Sequence, residues 1–309
     1  MILVCGNSKD AVTNFFCRRL DTFEADYRFL DLNDYPAGYN VVHLRRGHRF
    51  AGSISSAAWS LQTEELTGVF VRNLYDPQKR HDERHGESVG AALDAELSIG
   101  LDSIFAGLEC PVVNPFSASW SNHSKPYQAM HIRSVGLKSP ATLITNDLQD
   151  ARTFIEKIEN GVIYKSASGK TVGTHPIDLD SLPALLSNRS SPIQLQERAA
   201  GVDVRVHVVA NQVFPTKVVS DLTDYRYEET DRLRMEKGVL PVEIAAACVR
   251  LTQRLGLHLS GIDLRETPDG QFYCFEVNTQ PGFAFYEQRT GQPISRALWH
   301  LLSGKLAGA

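Results

Sequence analysis

The stretch GIDLRETPDGQFYCFEVN, from Gly261 to Asn278, predicts the fold more sharply than any other part of the sequence. Two runs rich in apolar and β-branched residues flank Pro268-Asp269-Gly270, a pattern typical of a β-hairpin. Side chains alternate between the two faces of a strand, and residues paired across neighbouring strands share a face. The register of this hairpin therefore decides which polar side chains meet.

Two registers are compatible with the turn. Centring it on its first two residues pairs Asp263 with Cys274, and centring it on its last two pairs Asp263 with Glu276. In both cases Asp263, Glu276 and Asn278 point to the same side of the sheet, because Glu276 and Asn278 are two residues apart. A slip by one residue would separate them. The hairpin thus predicts three oxygen-bearing side chains on one face.

Two carboxylates on one sheet face repel each other unless a cation lies between them. Mg²⁺ prefers oxygen ligands and leaves positions open for phosphate, so Asp263, Glu276 and Asn278 are candidate magnesium ligands. An acidic strand face that points to solvent is the structural alternative.

The whole chain has the composition of an ordinary globular protein. Its 309 residues suffice for about two or three domains. The formal charge of −4 disfavours nucleic-acid binding through bulk electrostatics. No apolar run reaches the ~20 residues of a membrane helix, and the N-terminus does not read as a signal peptide. The five cysteines have no CxxC spacing, so we expect reduced core thiols and a cytoplasmic location.

A second polar element is VIYKSASGKTVGT. Lys165 ends an apolar strand, and the small residues from Ser166 to Gly173 allow backbone N–H groups to approach an anion. The spacing is not that of a Walker loop. This segment predicts a phosphate-binding loop that includes Ser168 and Gly169, with a flexible surface turn as the alternative.

Two further segments carry candidate arginines. In IQLQERAAGVDVRVHVV, Glu197 closes one strand, and Asp203 and Arg205 lie on the next. Arg205 faces either solvent or a phosphate. In TDYRYEE, Arg226 lies between aromatic residues, where a guanidinium can bind a carboxylate or an acyl phosphate through two hydrogen bonds. Each motif is weak alone, and their order along the chain is more informative.

That order is a strand lysine with a small-residue loop, an acidic strand end, an Asp-x-Arg strand and an Asp…Glu-x-Asn hairpin. It resembles the ATP-grasp superfamily over residues 110 to 300. The resemblance implies an α/β (α+β) ATP-grasp fold with three parts. These are an open N-terminal α/β domain (1–115), a central lid subdomain with the phosphate loop (116–190) and a C-terminal antiparallel-sheet subdomain with the metal site (191–309).

The resemblance also implies residue roles. Lys125 in NHSKPYQ matches the first nucleotide lysine of the family and Lys165 the second. The segment QERA resembles the hinge that binds adenine, which places Gln196 and Glu197 near the nucleotide. The implied cofactors are ATP and Mg²⁺, with Mn²⁺ as a substitute. The implied nucleotide-binding set is Lys125, Lys165, Ser166, Ser168, Gly169, Gln196, Glu197 and Asp203, and Asp263, Glu276 and Asn278 match the family's metal ligands.

Within the superfamily, the chain resembles graspetide (microviridin-type) peptide ligases and ligases that add glutamate to a ribosomal protein. LTGVFVRNLYDP is similar to a strand-plus-arginine element of graspetide ligases, which implies that Arg72 binds substrate. TDYRY matches a loop whose arginine faces the acyl phosphate, so Arg226 is expected to contact substrate during catalysis and Arg205 to stabilise the transferred phosphoryl group. Val71-Arg72-Asn73 stands where paired arginines are frequent in graspetide ligases, and the strand exit NTQPGF is closer to the glutamate-ligase pattern.

The predicted function is an ADP-forming carboxylate–amine or carboxylate–hydroxyl ligase that acts on a ribosomal peptide through an acyl phosphate. The alternatives are a ligase of free amino acids, a glutamate-adding ligase, and a catalytically idle ATP- or peptide-binding relative. The expected partner is a peptide or a small carboxylate or amine, without nucleic acid or membrane, and a homodimer is an option.

Overall fold

The computed structural model describes residues 1–46, 49–72, 96, 99–166, 174–187, 192–219 and 234–305. Among the described helices, none has the length and apolarity to cross a membrane. All five cysteines are free thiols, and Cys5, Cys248 and Cys274 are buried, as the sequence predicts for core cysteines. Burial raises the pKa of the Cys248 thiol to about 12, so it stays protonated.

The N-terminal region forms two sheets. Its elements are β1 (Ile2–Gly6), α1 (Ala11–Thr22), β2 (Tyr27–Asp31), β3 (Tyr39–Arg46), β4 (Arg49–Ser56), β5 (Ser60–Gln62), β6 (Gly68–Val71) and β7 (Val112–Val113). Among the described strands, β2–β1–β6–β7 form a parallel sheet in that order. Strands β3–β4–β5 form a small antiparallel sheet that the sequence analysis did not predict. Residues 99–106 are helical.

The central region holds a second four-stranded sheet. Its elements are α2 (Phe116–Ser119), α3 (Lys125–Ser134), β8 (Thr142–Thr145), α4 (Leu148–Lys157), β9 (Val162–Ser166), β10 (His175–Ile177), α5 (Leu182–Ser187) and β11 (Ile193–Glu197). The described strands are antiparallel in the order β10–β9–β11–β8. Asp147 caps α4 by accepting the N–H of Asp150 at 2.8 Å. The predicted domain boundary after residue 190 falls before β11, the third strand of this sheet.

The C-terminal region contains the largest described sheet. Its elements are β12 (Val202–Val209), β13 (Gln212–Val219), β14 (Arg234–Lys237), α6 (Val242–Arg254), β15 (Leu259–Glu266), β16 (Phe272–Asn278), α7 (Ala284–Thr290) and α8 (Ile294–Leu302). The strands run antiparallel in the order β14–β13–β12–β15–β16. Ala210 takes a positive φ of 51° in the two-residue turn between β12 and β13.

Apolar residues bury one face of this sheet, which carries Val206, Ile262 and Val277 and packs against Ile132 of α3 and Leu251 of α6. A separate core joins the C-terminal region to the N-terminal sheet: Phe283 is fully buried, with its ring 6.2 Å from Phe16 and 6.4 Å from Phe70. The segment that follows β16 therefore packs against the N-terminal region through Phe283.

His207 on β12 is fully buried, and its ring lies 4.8 Å from that of Tyr286. Burial lowers the pKa of His207 well below its usual value, and the positive charge of Arg205 lowers it further. The folded protein therefore holds a neutral imidazole, whereas the unfolded chain binds a proton below pH 6.5. Because the unfolded state then binds more protons, stability falls as the pH drops below that value.

Replacing His207→Phe should remove this acid sensitivity. Between pH 6.5 and 5 the wild type should lose up to ~1.4 kcal/mol of unfolding free energy per pH unit more than the variant. Urea unfolding at several pH values measures the two slopes. The exposed His175→Gln variant should keep the wild-type slope, and equal slopes for wild type and His207→Phe would contradict the prediction.

Candidate functional site

The backbone pairing of β15 and β16 contains a β-bulge. Asp263 lies directly opposite Glu276, and Gly261 opposite Asn278, but the next residue, Leu264, pairs with Cys274. Phe275 is thus an extra residue on β16. The Asp263–Glu276 pair follows the second of the two predicted registers, whereas the part nearer the turn is shifted by one residue. The bulge brings the carboxylates into opposition while Val277 and Cys274 both stay buried.

A buried arginine side chain neutralises the carboxylate of Asp263. Arg205 on β12 is the direct cross-strand neighbour of Asp263, and the two side chains form an ion pair. The guanidinium lies across Gly261: a Cβ there would stand 3.1 Å from Arg205 Cζ and 2.6 Å from Pro281 Cβ. The ring of Tyr286 lies 5.7 Å from the same Cζ. Arg205 is 8% exposed, so its charge is held in place at the sheet surface.

A lysine at the start of a helix lies close to the other carboxylate, that of Glu276. Lys125 begins α3, with Ser124 as the capping residue, and its Nζ lies 3.5 Å from Glu276 Oε2. The helix is attached to the edge strand β16 by Gln128, whose buried amide donates to the carbonyl of Val277 at 2.7 Å and accepts from its N–H at 3.0 Å. The side chain of Gln128 therefore makes the two backbone hydrogen bonds that a neighbouring strand would make to Val277, and it fixes the position of the helix that carries Lys125.

Asn114 holds the two ends of the hairpin together. Its buried amide accepts from the N–H groups of His258 and Leu259 and donates to the carbonyls of Leu259 and Thr279. All four hydrogen bonds lie between 2.5 and 3.0 Å. Asn114 was not among the site residues predicted from the sequence, although a polar residue between an apolar strand and Pro115 is a usable signal.

Lys165 and Gln196 meet on the central sheet. Lys165 Nζ donates to Gln196 Oε1 at 3.0 Å, and Gln196 Nε2 donates to Thr142 Oγ1 at 3.0 Å. Glu197 lies on the opposite face of β11, where its carboxylate accepts from Ala141 N–H and Asn160 Nδ2, both at 3.2 Å. The structure thus brings together two of the predicted nucleotide residues and turns the carboxylate of Glu197 the other way.

Asp203 binds an arginine. Its Oδ1 accepts from Arg265 Nε at 2.9 Å and Nη2 at 2.6 Å, while Nη1 of Arg265 donates to the carbonyl of Ala199 at 3.0 Å. These bonds tie the start of β12 to β15. Asp203 therefore has a structural role in the folded chain, and its role in nucleotide binding stays a prediction.

Arg72, the predicted substrate residue, follows β6 and bonds within the chain. Its Nε donates to Asp10 Oδ2 at 2.8 Å, and its Nη1 donates to the carbonyls of Gln280 at 3.0 Å and Pro281 at 3.4 Å. Ser168, Gly169, Arg226 and the side chain of Ser166 lie outside the described residues. Their roles, and the substrate role of Arg72, stay predictions.

The acidic pair fits a hard divalent cation. Within the described ranges no group of three or more His, Cys, Asp and Glu side chains has metal-binding geometry, so the candidate set consists of two carboxylates and an amide. These are oxygen donors of the kind that Mg²⁺ prefers. Asn278 Oδ1 already accepts the N–H of Gln280 at 2.9 Å, which fixes the direction of its amide.

Comparison with known proteins places this geometry in a family. Tetrahydromethanopterin:alpha-L-glutamate ligase of Methanocaldococcus jannaschii is 22% identical over 294 residues, covering 89% of this chain and 88% of that protein. The macrocyclase MdnC of Microcystis aeruginosa, bound with the precursor peptide MdnA, superposes with a TM-score of 0.81 at 21% identity over 98% of this chain and 99% of its own. The ATP-grasp ligase PsnB, complexed with minimal precursor, Mg and ADP, gives 0.82 at 24% identity over 98% of this chain and 96% of its own.

These structural similarities establish an ATP-grasp fold that extends through the N-terminal region. The sequence model of the RimK-like ATP-grasp domain matches residues 124–302, from the residue before Lys125 to the end of α8. Because this match spans more than half of the 309 residues, the chain belongs to the RimK-like ATP-grasp family and is an ATP-grasp ligase.

Proposed function

We propose that this ligase links side chains within a ribosomally made peptide, activating a carboxylate with ATP and joining it to an amine or a hydroxyl. The observation that carries the chemistry is the convergence of Asp263, Glu276, Arg205 and Lys125 on one end of the C-terminal sheet. The peptide substrate is supported by the fold: MdnC and PsnB, which this chain matches over 98% of its length, were both solved with precursor peptides.

Asp263, Glu276 and Asn278 would hold Mg²⁺, and Mn²⁺ should substitute because it favours the same oxygen donors. When bound, the cation draws charge away from the phosphate oxygens of ATP. The ion pairs with Arg205 and Lys125 place a positive charge beside each of the two carboxylates, Asp263 and Glu276.

Arg205 would bind the transferred phosphoryl group. Its planar guanidinium offers several donors at fixed angles, suited to a phosphate with three equatorial oxygens. Lys125, at the helix start beside Glu276, would bind a phosphate oxygen of the nucleotide. Lys165, Gln196, Ser166, Ser168, Gly169, Glu197 and Asp203 complete the proposed nucleotide set, and Arg226 the acyl-phosphate contact.

Two displacements account for the reaction. A carboxylate oxygen of the substrate attacks the γ-phosphorus, the bond from that phosphorus to the ADP oxygen breaks, and an acyl phosphate forms. The amine or hydroxyl then attacks the acyl carbon, phosphate leaves, and the nucleophile loses one proton. The peptide therefore loses the elements of one water for each bond made. The protein contributes position and charge, as in other phosphoryl transfers.

A glutamate-adding ligase is the second candidate. The relative that covers 89% of this chain carries that activity in its name, and the strand exit NTQPGF resembles the glutamate-ligase pattern. Both candidates share the acyl phosphate and differ in the nucleophile. A cytoplasmic location, a homodimer and the three-part domain division remain predictions.

Removing either carboxylate should slow ATP-dependent ligation strongly. Glu276→Gln and Asp263→Asn keep the side-chain shape but lose the anionic oxygen, and we expect phosphate release to fall by about 10²–10³. Glu236→Gln, which changes an exposed glutamate on β14, is the matched control and should be unaffected. Turnover at the wild-type rate in purified Glu276→Gln would overturn the assignment.

Gly261→Ala should disable the site through Arg205. The added Cβ would lie 2.6 Å from Pro281 Cβ, which must shift, and 3.1 Å from the guanidinium carbon of Arg205, which must give way by a few tenths of an ångström. We expect phosphate release to fall by up to ~10²-fold, the cost of a misplacement of about 1 Å. Gly282→Ala is the control, since its Cβ would meet only the side chain of Val12 at 3.8 Å. Equal phosphate-release rates for the two variants would show that Arg205 does not need this position.

Intact-mass spectrometry separates the two candidate functions. With ATP and Mg²⁺, a peptide rich in Thr or Ser and in Asp or Glu should become lighter by one water per bond. A product heavier by glutamate residues, formed only with free glutamate present, would establish the second candidate instead.

A further inference from the structure

The segment after β16 connects the metal-ligand strand to α7, and the N-terminal region holds it in two places. Phe283 is fully buried in the core shared with Phe16 and Phe70. Closer to the site, Arg72 Nη1 donates to the carbonyl of Gln280 at 3.0 Å and to that of Pro281 at 3.4 Å. The segment therefore depends on a side chain more than 200 residues away in sequence.

Gln280 connects this arginine to the predicted metal site. Its carbonyl accepts from Arg72, and its N–H donates to Asn278 Oδ1 at 2.9 Å. The energy barrier to rotation about the last torsion of the Asn278 side chain is low. The hydrogen bond from the N–H of Gln280 therefore decides that Oδ1, and not Nδ2, points towards Gln280. Fixing the position of Gln280 thus fixes the orientation of Asn278.

Arg72 is itself locked by an acid. Its Nε bonds to Asp10 Oδ2 at 2.8 Å, and the two side chains are only 13% and 15% exposed. Asp10 also caps α1 by accepting from the N–H of Thr13 at 2.8 Å and its hydroxyl at 2.9 Å. Burial alone would raise the pKa of Asp10, but the charge of Arg72 and the hydrogen bonds from Thr13 and Arg72 together lower it. The pair is therefore ionised at neutral pH.

The geometry points to Arg72 as a positioning residue: together with Asp10 it orients Asn278 through Gln280, and it acts on cation binding instead of contacting the peptide. This inference rests on the proposed role of Asn278 as a cation ligand. It differs from the substrate role predicted from the sequence, because the guanidinium is directed at Asp10 and at two backbone carbonyls. Partners of metal ligands typically change metal affinity by 10–100-fold when they are removed.

Arg72→Lys tests the inference. A lysine retains the charge next to Asp10 but presents a single ammonium, so it cannot bond the acid and both carbonyls in the fixed geometry of a guanidinium. The affinity of the enzyme–ADP complex for Mn²⁺, titrated by electron paramagnetic resonance, should fall by about 10-fold. The peptide KM should stay unchanged. Arg28→Lys, which alters a partly exposed arginine that pairs with Asp26 and lies on the same sheet, should leave both values unchanged.

A double-mutant cycle separates positioning from general damage. In an Asn278→Ala background, Arg72→Lys should cause no further loss of Mn²⁺ affinity, because its route to the cation is already removed. Asp10→Asn, which keeps the shape of the cap but loses its charge, should show an intermediate loss. An unchanged Mn²⁺ affinity combined with a raised peptide KM in Arg72→Lys would overturn the inference in favour of substrate binding. If Asn278→Ala itself retains full Mn²⁺ affinity, Asn278 is not a cation ligand and the inference is overturned, whereas the site formed by Asp263 and Glu276 is tested separately by Glu276→Gln and Asp263→Asn.

Discussion

Two carboxylates that face each other across neighbouring strands repel unless positive charge compensates them, and this constraint shapes the site. Asp263 and Glu276 are brought into opposition by the extra residue Phe275. Arg205 neutralises one from the adjacent strand, and Lys125 approaches the other from a helix start. A divalent cation bound between the carboxylates, as proposed above, would meet anions whose charge Arg205 and Lys125 already partly balance.

The positions of these charges depend on buried polar groups that have no charge. Gln128 fastens the helix of Lys125 to the backbone of Val277, and Asn114 fastens the beginning of β15 to the residue after β16. Burying an amide is unfavourable unless its hydrogen bonds are satisfied, so each of these side chains specifies one arrangement of the elements that it joins. Phe283 lies in a core that it shares with the N-terminal region. The geometry of the site therefore depends on both the N-terminal and the C-terminal regions.

Sequence reasoning succeeded where local pattern determines structure. The hairpin, the Asp-x-Arg strand and the lysine strand follow from side-chain alternation, and the ATP-grasp fold followed from the family resemblance that their order carries. It could not predict the bulge at Phe275, because two registers satisfied the same turn. It also missed the partners of Asn114, Gln128 and Arg72, since these contacts join residues far apart in the chain. Glu197 turned away from Lys165 because β11 alternates, a point that the resemblance alone did not resolve.

The most direct test of the account is a crystal structure with ADP and Mn²⁺, in which anomalous scattering locates the metal. We predict a peak within ~2.0–2.6 Å of carboxylate oxygens of both Asp263 and Glu276, the range of oxygen-bound divalent cations, with nucleotide phosphate oxygens as further ligands. A nucleotide-bound metal whose peak lies away from these two carboxylates would contradict the central claim.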